Sequence, residues 1–180
     1  MLEGAESRAA GVLLGLAAGD RIGGPLRMAL RVAESLRDRG SFDASDIGAC
    51  HLAWWREGAF DTGPTVAEVL SLVAAGQTFE AAAARVHEET GRMTAGCNPA
   101  HRIAPLAMCA AIADPELGRA AAAEARLTHR HPLAGDAAAA VASLCRALIR
   151  GVPWPAARAA AAGESGGDGT CRRLVDRGPP

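Results

Sequence analysis

GAFDTGPTVAEVL, residues 58–70, sets an acidic residue, a threonine and a glycine directly before a proline and an apolar run. Proline tolerates the first turn of a helix, where its missing N–H has no partner to lose, so the spacing predicts a helix opening at Pro64 and reaching Ala75. Asp61 and Thr62 carry side-chain oxygens of the kind that accept the orphan amides of a helix start. The stretch therefore reads as a helix cap, as the wall of a ligand pocket, or as both. Gly58 ends the helix before it, which Asp43 or Ser45 can cap and which runs through HLAWWRE.

The same punctuation recurs on both sides. ESRAAGVLLGLAAGD has apolar residues on a helical period and stops at Gly19, and Pro25 opens PLRMALRVAESLRDR, closed by Gly40. Thr78 can cap a helix through EAAAARVHEET to Gly91, and a further helix runs from about Ala100 to Ala113. Asp114 before Pro115 and Glu116 is a start signal, with the carboxylate expected to accept orphan amides. Pro132 opens AGDAAAAVASLCRALIR, and Pro153 or Pro155 a short last helix. Alanine fills 43 of the 180 positions and aromatics only 3%, so helix formers dominate and strand formers are scarce. The expectation is an all-α domain of about eight or nine helices over residues 1–162, joined by short loops, with a frayed or disordered tail at 163–180.

A formal net charge of -1 gives no field that would draw a nucleic-acid duplex or an anionic membrane. The apolar stretch from Gly11 to Ala18 is too short to span a bilayer, and Glu3 and Glu6 do not suit a basic leader. The five cysteines are odd in number and lack a C-x-x-C pair, which points to a reducing cytoplasm rather than a disulfide framework or a zinc knuckle. Cys109 and Cys145 lie in apolar runs and read as small core residues.

Four loops hold the residues that could carry chemistry: GDRIGGP, FDTGP, GCNPAHR and LTHRHP. Each lies at a helix end, where free amides and a partial positive charge can hold phosphate. Asn98, the only asparagine, falls in one of them beside His101 and Arg102. Plainer readings stand alongside. Asp20 serves equally as a turn residue, and His129 and His131, two apart, are a weak metal signal. His51 and His87 read as surface or partly buried residues on helices, and at least one of Trp54 and Trp55 belongs in the core. GGDGT, with Asp168 and Thr170, reads as linker because one carboxylate makes a poor cation site.

Taken in order, the loops resemble the ADP-ribosylglycohydrolase family. GVLLGLAAGDRIGG is similar to the family's opening G-x-x-x-G-x-A-x-G-D-x-x-G, and MALRVAESLRDRGSFD to the helix after it. WWREGAFDTGPT resembles its Asp-x-Gly segment, GCNPAHRIAPLA its G-N-G-x-x-M-R-x-x-P stretch, and LTHRHPLAGDAAAA its Thr-His helix start. The resemblance implies an all-helical fold and cleavage of the glycosidic bond between ADP-ribose and a protein side chain or related acceptor. It also implies two Mg²⁺ or Mn²⁺ ions that orient the ribose hydroxyls and a water. Carried across position by position, Asp61, Asp20 and His129 become the catalytic candidates, while Thr62, Gly63, Gly96, Asn98, His101 and Arg102 become ligand-binding candidates.

This chain departs from the pattern where the acids should be. Gly23, Gly24, Pro25 and Leu26 stand where the family has Thr-Asp-Asp-Thr, and the late Asp-x-Asp-Thr motif is absent. The asparagine of GCNPAHR sits one place late, and His101 replaces methionine. A dinuclear site needs several hard oxygen ligands, so weak metal binding or none is expected here, and no metal ligand is assigned. Three functions follow as expectations: an ADP-ribosyl hydrolase, a reader of ADP-ribose or a related nucleotide without turnover, or a helical interaction protein that pairs with another chain, a homo-oligomer included.

Overall fold

The computed structural model describes residues 2–163, and over them the chain forms ten helical elements and no strand. In order these are α1 (Leu2–Gly19), α2 (Gly24–Arg39), α3 (Ala44–Arg56), α4 (Pro64–Ala74), α5 (Phe79–Glu89), α6 (Asn98–Arg102), α7 (Ala104–Met108), α8 (Asp114–Arg126), α9 (Pro132–Ile149) and α10 (Trp154–Gly163). The expected tail, with its GGDGT motif, lies outside the described residues. The single helix expected from Ala100 to Ala113 is two short pieces, α6 and α7, with Ile103 between them. Pro105 explains the break, because it has no N–H to give the carbonyl four residues back and its ring crowds that carbonyl.

Helix starts follow local chemistry. Asp43 caps α3 by accepting from Ser45 N at 2.9 Å and Asp46 N at 3.1 Å, and Thr78 caps α5 by accepting from Ala81 N at 3.1 Å. His131 starts α9 with Nδ1 accepting from Leu133 N at 3.2 Å. Asp114 does begin α8, but without capping it: the N-cap position is Ala113, and no side chain bonds to the free amides. Its carboxylate turns instead toward α9, accepting from Arg146 Nη1 at 2.8 Å and pairing with Arg150. A guanidinium offers a charged partner, which outcompetes a neutral amide.

Helix α9 is the central strut, packed against α1, α6, α7, α8 and α10. Its length and composition would also suit a membrane span, yet its buried face is an alanine stripe that includes Ala134, Ala138, Ala139 and Ala142. Facing it, α8 buries Leu117, Ala120, Ala121 and Ala125. These small side chains bring the helices close: a Cβ added at Gly135 would lie 3.4 Å from that of Ala122. The main core gathers Val32, Leu36, Ile47, Ile103, Leu106 and Leu117 around that pair. Each fully buried Ile or Leu contributes roughly 1.5–3 kcal/mol relative to an exposed one.

A second apolar cluster, Met28, Trp54, Val66 and Leu70, joins α2, α3 and α4. Trp54 is buried, as expected for one of the tryptophan pair, and meets Phe60 edge to face with ring centroids 6.1 Å apart. This contact pins the loop between α3 and α4. His51, read as a surface or partly buried residue, is fully buried in α3. It tolerates the interior because its ring nitrogen reaches Glu124 Oε1 of α8 at 3.1 Å.

Candidate functional site

The four loops converge on one cleft of about 890 Å³. The end of α1 and the loop after it contribute Leu16, Gly19, Asp20 and Arg21, and the loop before α4 contributes Asp61, Thr62 and Gly63. Gly96, Asn98 and His101 come from the α6 side, and His129 from the turn between α8 and α9. Of the nine residues named from the sequence, eight line this cleft. Arg102 does not: it is fully buried behind the wall.

Backbone geometry fixes the loop before α4. Gly63, at φ 73° and ψ 159°, occupies a region open essentially to glycine, and Asp61 lies left-handed at φ 51°, which aspartate tolerates better than most residues. The start of α2 clamps the loop from the other side. A Cβ on Gly24 would fall 2.3 Å from the Asp61 carbonyl oxygen, so only glycine permits this approach. Helix α4 begins with Gly63 as N-cap and no side-chain bond, so neither Asp61 nor Thr62 caps it, and both line the cleft. Thr65 and Val66, in the first turn where helical amides have no intrahelical partner, line the cleft wall.

Asp20 has a different occupation. One carboxylate oxygen accepts from Gly23 N at 2.8 Å and Ile22 N at 3.4 Å, and the other from Leu26 N at 2.7 Å, so this residue is what closes the turn into α2. Burial pushes its carboxyl up, but these three donors, helped by nearby His101, outweigh that and hold it below the usual carboxylate range.

His129 is only 2% exposed, and its Nδ1 lies 2.8 Å from Thr128 Oγ1. Its other nitrogen, Nε2, stands against Gly96, where an added Cβ would approach it to 2.9 Å. Burial, and then the Arg102 charge, push its pKa down to about 4 despite the opposing pull of Glu124, so the ring is neutral at pH 7. Arg102 itself reaches Glu124 Oε1 at 2.6 Å, Asn98 Oδ1 at 2.6 Å and Thr128 Oγ1 at 3.0 Å. It shapes the cleft from behind.

The donor set does not fit two divalent cations. Both oxygens of Asp20 are engaged by backbone amides, which leaves Asp61, among the described residues, as the cleft carboxylate without a hydrogen bond. Among the described residues, no group of three or more His, Cys, Asp or Glu side chains is placed to hold a metal ion. Hard cations of this kind want six or more oxygens, several of them anionic.

A family model described as ADP-ribosylglycohydrolase matches residues 1–177. The chain belongs to the ADP-ribosylglycohydrolase family. Among solved structures it is similar to an ADP-ribosylglycohydrolase-related protein complex, with 28% identity and a TM-score of 0.73 over 98% of this chain and 68% of that one. A comparison with curated proteins finds no match. In this ADP-ribosylglycohydrolase-family chain, several cleft and support residues escape sequence reading. Arg21 is the one arginine lining the cleft among the described residues, and Cys97 and Met93 line the cleft on the α6 side. Behind the wall stand Thr128, Glu124 and His51. Glu124 leaves one trace in the sequence, a lone carboxylate inside the run AAAEA on a helix face that is otherwise apolar.

Proposed function

We infer that this ADP-ribosylglycohydrolase-family chain binds ADP-ribose in the cleft, with the diphosphate at the start of α4, and needs no divalent cation to do so. The observation that supports this most directly is the uncapped first turn of α4. Two side chains suited to capping stand just before it, yet neither caps it, and its first-turn residues Thr65 and Val66 line the cleft. A helix start supplies both donors and a partial positive charge, which suits phosphate oxygens. Arg21 adds a full positive charge at the same cleft, whose size lies within the range of small-molecule sites.

Hydrolysis is the second reading, and Asp61 is the observation in its favour. Its carboxylate lines the cleft without a hydrogen-bond partner and so could act as an acid or base on a bound glycosidic bond. One pair of measurements separates the readings. ADP-ribose is titrated calorimetrically into the full chain with Mg²⁺ and again with EDTA, and release of ADP-ribose from a modified protein is followed in the same buffers. Equal binding in both buffers without release is the expected result. Binding only with Mg²⁺, or metal-dependent release, would replace this reading with the hydrolase.

A further inference from the structure

The cleft wall at His129 is backed by a polar chain that runs into the middle of the protein. It begins at Glu124, fully buried on α8, whose Oε1 accepts from Arg102 Nε at 2.6 Å and lies 3.1 Å from His51 Nε2. Burial alone would raise the Glu124 pKa, but Arg102 and then His51 outweigh it and keep the group a carboxylate. Arg102 then contacts one residue that lines the cleft and one just behind its wall. Nη1 donates to Asn98 Oδ1 at 2.6 Å, and Nη2 donates to Thr128 Oγ1 at 3.0 Å.

The direction of every hydrogen bond beyond Arg102 follows from one fact: a guanidinium only donates. The Asn98 oxygen must face Arg102, so its amide nitrogen points away, toward Thr62 O at 3.3 Å. Thr128 Oγ1 likewise accepts from Arg102. Its hydroxyl has one proton, Thr128 is fully buried, and among the described residues its one remaining hydrogen-bond partner is His129 Nδ1 at 2.8 Å. That proton therefore goes to Nδ1, because pointing it anywhere else would bury an unpaired donor. A neutral imidazole that accepts at Nδ1 carries its hydrogen on Nε2. Nε2 is the nitrogen beside Gly96.

We propose that Arg102, acting through Thr128 and Asn98, is a positioning residue that fixes the proton of His129 on Nε2 and turns this wall of the cleft into hydrogen-bond donors. The wall then takes ligand groups that only accept. The ligand part rests on the ADP-ribose reading above. The proton placement stands on the geometry alone. Burial and the Arg102 charge act in the same sense, since both keep the ring from gaining a second proton at pH 7.

Long-range ¹H–¹⁵N spectra of the ¹⁵N-labelled full chain distinguish the two neutral tautomers and the charged ring, and the His129 signals are assigned by their loss in His129→Gln. The expected result at pH 7 is a neutral ring protonated on Nε2. A ring protonated on Nδ1, or charged, would overturn the proposal without any other variant being made. Thr128→Val removes the hydroxyl at nearly constant volume. It should give a mixture of tautomers and weaken ADP-ribose binding by about three- to tenfold, and Thr128→Ser should restore both. Unchanged affinity in Thr128→Val despite a changed tautomer would also overturn it. An Nε2-protonated ring in a chain that takes no ADP-ribose would leave the relay standing and sink the ligand reading instead. ADP-ribose bound to a wild-type ring protonated on Nδ1 would do the reverse.

Discussion

Gly96 shows how little room separates a working wall from a blocked one. Its Cα faces the edge of a histidine ring that Thr128 holds from the far side, and a methyl group there would come within 2.9 Å of Nε2. Gly96→Ala is therefore expected to cost about 1–3 kcal/mol through overpacking and to weaken ADP-ribose binding in the same titration. An alanine variant with wild-type stability and affinity would mean that the ring tilts away freely, and that Thr128 does not hold it. At this scale the sequence marks the cleft well, because Asp20, Asp61, Gly63, Gly96 and His129 stand at helix ends, where the alanine-rich pattern breaks. It misleads where a residue has two plausible tasks. Arg102 was assigned to the ligand by its place in the motif, yet a guanidinium four residues after Asn98, on a helix one turn long, faces inward to Glu124.

Among the elements, the junction of α7 and α8 depends on a single side chain from α9. The helical ladder is interrupted between α7 and α8: the Leu106 and Cys109 carbonyls accept turn bonds from Cys109 N and Ile112 N, and the interior there needs further donors. Arg146 supplies them: Nε donates to Ala107 O at 2.6 Å, Nη1 to Ile112 O at 3.1 Å, and Nη2 to Leu106 O at 3.1 Å and Cys109 O at 2.9 Å. Arg146→Met keeps the stem and removes the donors, so it is expected to destabilise the protein by about 2–5 kcal/mol, measured by urea denaturation. A loss below about 0.5 kcal/mol, typical of a surface substitution, would show that these carbonyls find other partners. Helix starts are legible in the sequence because proline and capping side chains act over three or four residues. This junction is not legible, because its deciding contact joins positions more than thirty residues apart. The same limit explains Asp114, which starts its helix as expected and then turns to arginines the local sequence does not reveal.

For the whole molecule, the buried histidines link folding to pH. Unfolded His129 gains its proton near pH 6.5, whereas the folded residue resists until about pH 4. Between those values the unfolded chain binds more protons, so acid favours unfolding, and the stability present above pH 6.5 is lost as pH falls toward 4. The expected loss is on the order of 3 kcal/mol from His129. His51, whose pKa burial also lowers, adds to it in the same direction, and Glu124 adds further below its unfolded value of 4.5. Urea midpoints recorded from pH 7.5 to 4.5 should fall steadily, and His129→Gln should flatten the curve. A level profile in the wild type would mean that His129 charges freely in the folded state. The alanine seam between α8 and α9 has a further consequence, for how this protein can change over time. Truncation has almost nothing to remove there, while nearly every substitution adds volume between two helices already in contact. The seam is thus vulnerable to crowding, while the Val, Ile and Leu core around it is vulnerable to hollowing, and drift along the alanine run is confined to the smallest residues.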